Sequence, residues 1–158
     1  SGMFFYTSDV DAPLIARKME ISDNVIPASN SSIARGLYYL GLYLYKDDYV
    51  ARSKQMLNNV KEDVLKNGPF YSNWSILLYH FVKEPYEVAI VGKDYQTTRK
   101  ALDQHYLPNV LLMGGKNEGS LELLKNKMID GQTTIYVCQN KACKLPVTDA
   151  QKALELID

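Results

Sequence analysis

The strongest constraint on this chain is a change of hydrophobic period at Pro85. Before it, apolar residues recur at helical spacing; after it they come as short β-branched runs closed by glycine or polar turns. Tyr86-Glu-Val-Ala-Ile-Val91 runs into Gly92, Val110-Leu-Leu-Met113 into Gly114-Gly115, and Thr133-Thr-Ile-Tyr-Val137 into a Cys138-x4-Cys143 loop. Helical patterns at 97–106 and 120–128 separate the runs, and Thr148 is placed to cap a last helix containing Ala153, Leu154 and Ile157. Strands alternating with helices pair in parallel through right-handed crossovers, because a tight turn cannot join parallel strands. Residues 86–158 are therefore predicted to form a small three-stranded parallel β-α-β-α-β-α unit. Its strand ends would bring Gly92, Gly114, Gly115 and Cys138 to one edge, where open α/β sheets bind ligands.

Residues 1–85 read as a helical region, which makes the fold class mixed α/β. Met3–Ser8 suits a short strand or extended arm, with turn residues from Asp9 to Pro13. Pro27-Ala-Ser-Asn-Ser31 opens a helix, since Ser and Asn side chains accept from first-turn amides. Ile33, Leu37, Leu40 and Leu44 mark one stripe of it, and Tyr38, Leu42, Tyr43 and Tyr45 extend apolar character round the circumference, which predicts an enclosed helix. Gly36 and Gly41 are expected where another backbone or a ligand approaches. Lys46-Asp47-Asp48 breaks the pattern, and Tyr49, Ser53, Met56, Val60 and Val64 then complete an αα-hairpin. Asn67-Gly68-Pro69 stops that helix, Ser72–Val82 forms a third, and Pro85 ends it.

Eighteen basic and eighteen acidic side chains cancel, so no net field favours nucleic acid or anionic lipid. No apolar run reaches the ~20 residues that cross a bilayer, and the N-terminus lacks signal-peptide order. Ser1-Gly2 has the look of a cloning remnant. Two cysteines are too few for a disulfide framework, which points to a reducing, cytoplasmic setting.

The chemistry-bearing residues give weak signals. Cys138 and Cys143 are too widely spaced for a thioredoxin-type redox pair, and they read as structural thiols, a loop disulfide, or a redox or metal pair. His80 and His105 lie in other predicted helices, so no metal set assembles. His80, among Leu77, Leu78 and Phe81, reads as a packed, hydrogen-bonded imidazole, and His105 as a helix C-terminal partner. Gly114-Gly115-Lys116 lacks the rest of a phosphate loop, and no nucleophile motif is present, so no cofactor is implied. Twelve tyrosines are unusual. Those at 38, 39, 43, 45 and 49 crowd the first hairpin, either to stack on sugars or to pack a helix seam.

Ala16-Arg17-Lys18, Asp23-Asn24 and Pro27-x-x-Asn30-Ser31, with Leu107-Pro108-Asn109, Tyr136-Val137-Cys138, Ala142-Cys143 and Pro146-Val147-Thr148-Asp149, carry a family resemblance over nearly the whole chain. The chain resembles the C-terminal region of the thioredoxin-domain-containing proteins related to spermatogenesis-associated protein 20. Ala28 departs from the Ser usual after that proline. The resemblance implies a longer protein, with a thioredoxin-like domain followed by a six-hairpin α/α toroid similar to N-acylglucosamine 2-epimerases. This chain would then be a non-redox portion, with Asp23, Asn24, Asn30 and Arg35 facing a sugar-binding cavity. Its partners would be the thioredoxin-like domain and remaining toroid, a sugar, or a second copy through exposed hairpin faces. The competing reading is an interaction or scaffold module without catalysis, and a third makes Cys138 and Cys143 a regulatory dithiol.

Overall fold

The structure, a computed structural model, describes residues 2–12 and 15–157. Ser1, and Pro13 at the end of the expected opening turn, lie outside the described residues. The chain divides into two compact units, Ser1–Val82 and Lys83–Asp158, each with its own apolar core.

In the first unit an extended arm leads to α1 (Ser29–Leu44), α2 (Asp47–Lys66) and α3 (Ser72–Val82). The arm is not a strand: Tyr6 N–H donates to Lys18 O at 2.8 Å, and Met3 enters the core formed by Ala34, Tyr38, Met56, Val60, Trp74 and Leu77. Tyr45, left-handed at φ 52, turns the chain from α1 into α2. Gly41 is required beside that reversal, because a Cβ there would stand 3.0 Å from Val50 N, inside ordinary contact. The same expectation fails at Gly36, where an added Cβ would meet no other part of the described residues within 4 Å. A single 3-10 turn at Gly68–Phe70, with Pro69 inside it, separates α2 from α3.

The expected enclosure of α1 is corrected by its burial. The inward face is Asn30, Ser31, Ala34, Tyr38 and Gly41, while Ile33, Leu40 and Leu44 remain 37%, 49% and 43% exposed. Small residues at 34 and 41 let α2 approach closely and so define the inward face. At 3.6 residues per turn the aliphatic stripe falls about a quarter-turn away. It lies on the flank away from α3, which meets α1 at Tyr38 and Tyr39.

The second unit contains β1 (Tyr86–Val91), α4 (Tyr95–Leu102), β2 (Val110–Gly115), β3 (Thr134–Gln139), β4 (Ala142–Cys143) and α5 (Ala150–Leu154). Its sheet has the order β2-β1-β3-β4. β1 and β2 are parallel across α4, as the crossover argument requires. β3 is antiparallel to β1, with Glu87 opposite Cys138 and Val91 opposite Thr134, and β4 is antiparallel to β3. The three-stranded parallel unit is thus replaced by a four-stranded mixed sheet.

The cause lies in residues 116–133. The helix expected at 120–128 is one 3-10 turn, Glu122–Leu124, too short to carry the chain back along the sheet. Gly119 and Asn126 have positive φ, and the Glu118 carboxylate accepts from Met128 N at 2.7 Å and Asn126 N at 3.0 Å. The link is folded on itself, and the chain enters β3 at the end of the sheet where β2 left it. The amides of Met128 and Asn126 also hold the Glu118 carboxyl below the usual carboxylate range. One sheet face, through Tyr86, Val88, Ile90, Ile135 and Val137, packs against Leu102 and Ala153. The last helix is capped by Asp149, which accepts from Lys152 N, rather than by Thr148.

Candidate functional site

Two of the four residues expected to face a cavity have their polar atoms engaged in holding segments together. Asp23 is 3% exposed. One carboxylate oxygen accepts from Ala28 N at 3.0 Å and Ser31 Oγ at 2.7 Å, and the other from Asn73 N at 2.8 Å. A single carboxylate therefore serves the N-termini of both α1 and α3, where unpaired amides and the helix dipoles favour negative charge. Ala28, the N-cap of α1, has no side-chain acceptor to offer, so Asp23 and Glu20, whose Oε2 accepts from Ser29 N at 2.9 Å, do the capping from upstream.

Asn30 is fully buried. Its Oδ1 accepts from Phe4 N at 2.8 Å, and its Nδ2 donates to Phe4 O at 2.9 Å and Glu20 O at 2.8 Å. The amide pairs with the arm as a strand would. Asn24 is exposed. Arg35 stands apart from these three, one to two turns along α1.

Arg35 belongs to the seam between α1 and α3. Its Nη1 donates to Asn73 Oδ1, and its Nε is buried without a hydrogen-bond partner among the described residues. No carboxylate forms an ion pair with it among the described residues. Further along the seam, Tyr39 Oη and His80 Nε2 are 3.0 Å apart, and Tyr38 Oη donates to His80 O at 3.0 Å. The Tyr38 and His80 rings stack with centroids 5.9 Å apart, and Tyr79 meets His80 edge-on. Burial, then the neighbouring Tyr39, raises the Tyr43 phenol above its ordinary value, so it stays a neutral donor.

Arg35, Tyr39 and Tyr43 recur at i, i+4 and i+8, with Asn73 and His80 facing the first two from α3. The set offers a guanidinium, phenols, an amide and an imidazole, which suits polar recognition; it contains no nucleophile or carboxylate. His80 is the packed, hydrogen-bonded imidazole its neighbours implied. Asn73 carried no sequence signal beyond lying near a helix start.

In the sheet unit Gly92, Gly114 and Gly115 share one edge. Gly92 N–H donates to Gly115 O at 3.0 Å. A Cβ on Gly92 (φ 139) would stand 2.5 Å from Gln132 O, and one on Gly114 would collide with Ile90 O. Close backbone approach accounts for both glycines. Cys138 does not join them: β3 is antiparallel, so its end lies beside the start of β1, at the opposite edge.

Cys138 and Cys143 form a disulfide across β3 and β4, their Cα atoms 3.8 Å apart. They are a directly opposed pair, and Lys144 N–H donates to Val137 O one position on. The cysteines thus occupy the non-hydrogen-bonded position, where cross-strand side chains come closest. Asn140 and Lys141, both with positive φ, make the two-residue turn between them.

Among the described residues no group of three or more His, Cys, Asp or Glu could hold a metal ion, and no helix is long and apolar enough to cross a membrane. Surface depressions of about 400 Å³ near Met3, Phe5, Asp9 and Arg17 and about 390 Å³ along α4 include none of the four expected cavity residues.

No protein-family model matches the chain, and no solved structure does. Among curated proteins, human spermatogenesis-associated protein 20 is similar, at 25% identity over 167 aligned residues. The alignment takes in 99% of this chain but 21% of that protein, so the chain spans only a small part of the relative's length.

Proposed function

We propose that this chain is one portion of a longer polypeptide, a portion without redox catalysis of its own. In this reading its helical unit docks against further helices and presents the Arg35–Tyr39–Tyr43 seam to a carbohydrate. The observation that carries the docking is the exposed flank of Ile33, Leu40 and Leu44, joined by Leu37, which is partly buried against the core. α1 has α2 on one side and α3 on another; the third side is aliphatic at i, i+4, i+7 and i+11, the spacing one helix offers another. A contiguous apolar strip left in water marks an association surface. Similarity to a fraction of a longer protein supports a larger whole. The seam supports the carbohydrate part, since phenols with polar tips beside a guanidinium and an amide suit a hydroxyl-rich ligand.

The scaffold reading shares the flank and differs in giving the seam no ligand. Titrating this chain into the separately produced remainder of the longer polypeptide, followed by sedimentation, tests the docking. One-to-one association is expected, weakened about tenfold or more by Leu40→Glu with Leu44→Glu, since placing carboxylates in an apolar contact costs more than the ~1.4 kcal/mol that a factor of ten represents. No association would end that reading. Thermal shifts of the reassembled protein over a sugar panel then separate the two: a shift that Arg35→Ala removes supports carbohydrate binding, and no shift with any sugar leaves the scaffold.

A further inference from the structure

We propose that Cys143 is a thiol–disulfide exchange site, and that reduction of its bond to Cys138 by a dithiol releases β4 from the sheet. The inference is independent of the docking reading. It rests on the asymmetry of the pair: Cys138 is 1% exposed, whereas Cys143 is exposed on the outermost strand. A thiolate must approach the bond along the S–S axis from the side of the sulfur it attacks, and only the Cys143 side is open to solvent.

The attacking thiolate forms a bond to Cys143 Sγ, the S–S bond breaks, and its electron pair leaves on Cys138 Sγ, which takes a proton from solvent. The second thiol of the dithiol then attacks its own sulfur in the mixed disulfide and frees Cys143. The protein gains two thiols, and the dithiol becomes a disulfide.

What holds β4 makes the bond consequential. The strand has two residues and, among the described residues, pairs with β3 alone. Its turn needs positive φ at both central positions, and Lys141, at φ 63, is not a residue that favours it. The S–S bond therefore clips a hairpin whose own sequence is poorly suited to closing it. Beyond it, Val147 pairs with Ile135 through two backbone hydrogen bonds of 2.7 and 3.0 Å. That bridge limits the released segment to about residues 140–146.

The test uses the purified chain with dithiothreitol, read by thiol titration, peptide mass mapping and amide hydrogen exchange. Two thiols are expected to appear. The Ala142 and Lys144 amides should exchange about tenfold faster or more, because local opening sets the rate, while Val147, Val88 and Ile90 keep theirs. A limiting monothiol should leave its adduct on Cys143. Cys143→Ser should show the fast β4 exchange with or without reductant. The proposal fails if the chain resists dithiothreitol that reduces a linear Cys-x4-Cys peptide, if the adduct sits on Cys138, or if reduction leaves β4 exchange unchanged.

Discussion

In the helical unit, Asp23 and Asn30 join segments up to 50 positions apart in sequence, each through three hydrogen bonds made by one side chain. The sheet unit joins distant segments through backbone ladders, with β1 buried at every position between β2 and β3. A ladder spreads its hydrogen bonds over many residues of any type, and a side-chain hub concentrates them on one residue that nothing can replace. The two units should therefore respond differently to substitution. Polar changes at single positions will disrupt the first, and changes in backbone room will disrupt the second.

The largest expected effect is at the hub. Asp23→Ala leaves Ala28 N, Ser31 Oγ and Asn73 N without their acceptor, and should cost about 3–5 kcal/mol, since hydrogen bonds to a buried charge are worth ~1.5–3 kcal/mol each and are not additive. Urea unfolding measures it, and a loss below 1 kcal/mol would break the contrast between the units. Next is Gly114→Ala, whose methyl must displace the β1 backbone at Ile90 O; overpacking of this kind costs about 1–3 kcal/mol. A neutral result there would show that the parallel ladder yields more easily than the helical hub.

Gly36→Ala, with open space around its site, should stabilise the chain by about 0.5–1 kcal/mol through helix propensity alone. The smallest effect is a local one at the link into β3. Glu118 has a lowered folded-state pKa, so its contribution is present above the ordinary carboxylate range near 4.5 and is lost as pH falls through the lowered value. Protection of the Asn126 and Met128 amides, measured against their intrinsic exchange rates, should fall over that acid window, and Glu118→Gln should remove that pH dependence of the protection.

How much of this was legible follows from the kind of signal each feature carries. α3 at Ser72–Val82 and β1 at Tyr86–Val91 are legible in the sequence, because Asn67-Gly68-Pro69 and Pro85 punctuate the chain and periodicity fills the space between. The direction of β3 was not legible, since a β-branched run reads alike either way along a sheet. The direction depended on Glu118 folding the link back, and a carboxylate accepting from two backbone amides leaves no periodic trace. Asp23, Asn24, Asn30 and Arg35 stand out through the family resemblance, but residue type alone does not separate a residue facing a ligand from one tying the chain together. The disulfide is one of three readings the cysteine spacing leaves open, and nothing in the sequence selects it, because its hairpin depends on Lys141 adopting a backbone conformation its type does not favour.

The partners of Asp23 also set an order of events. Ala28 and Ser31 lie five and eight residues away and can meet the carboxylate as soon as the head of α1 forms, while Asn73 lies 50 residues away. The last bond waits on closure of a loop that includes all of α2, and loop entropy makes such contacts late. One oxygen of Asp23 thus belongs to an early, local event and the other to the arrival of α3. Substitutions at Ser31 should then slow folding more than they speed unfolding, and core truncations in α3, whose arrival brings the Asn73 backbone N–H to Asp23, should do the reverse.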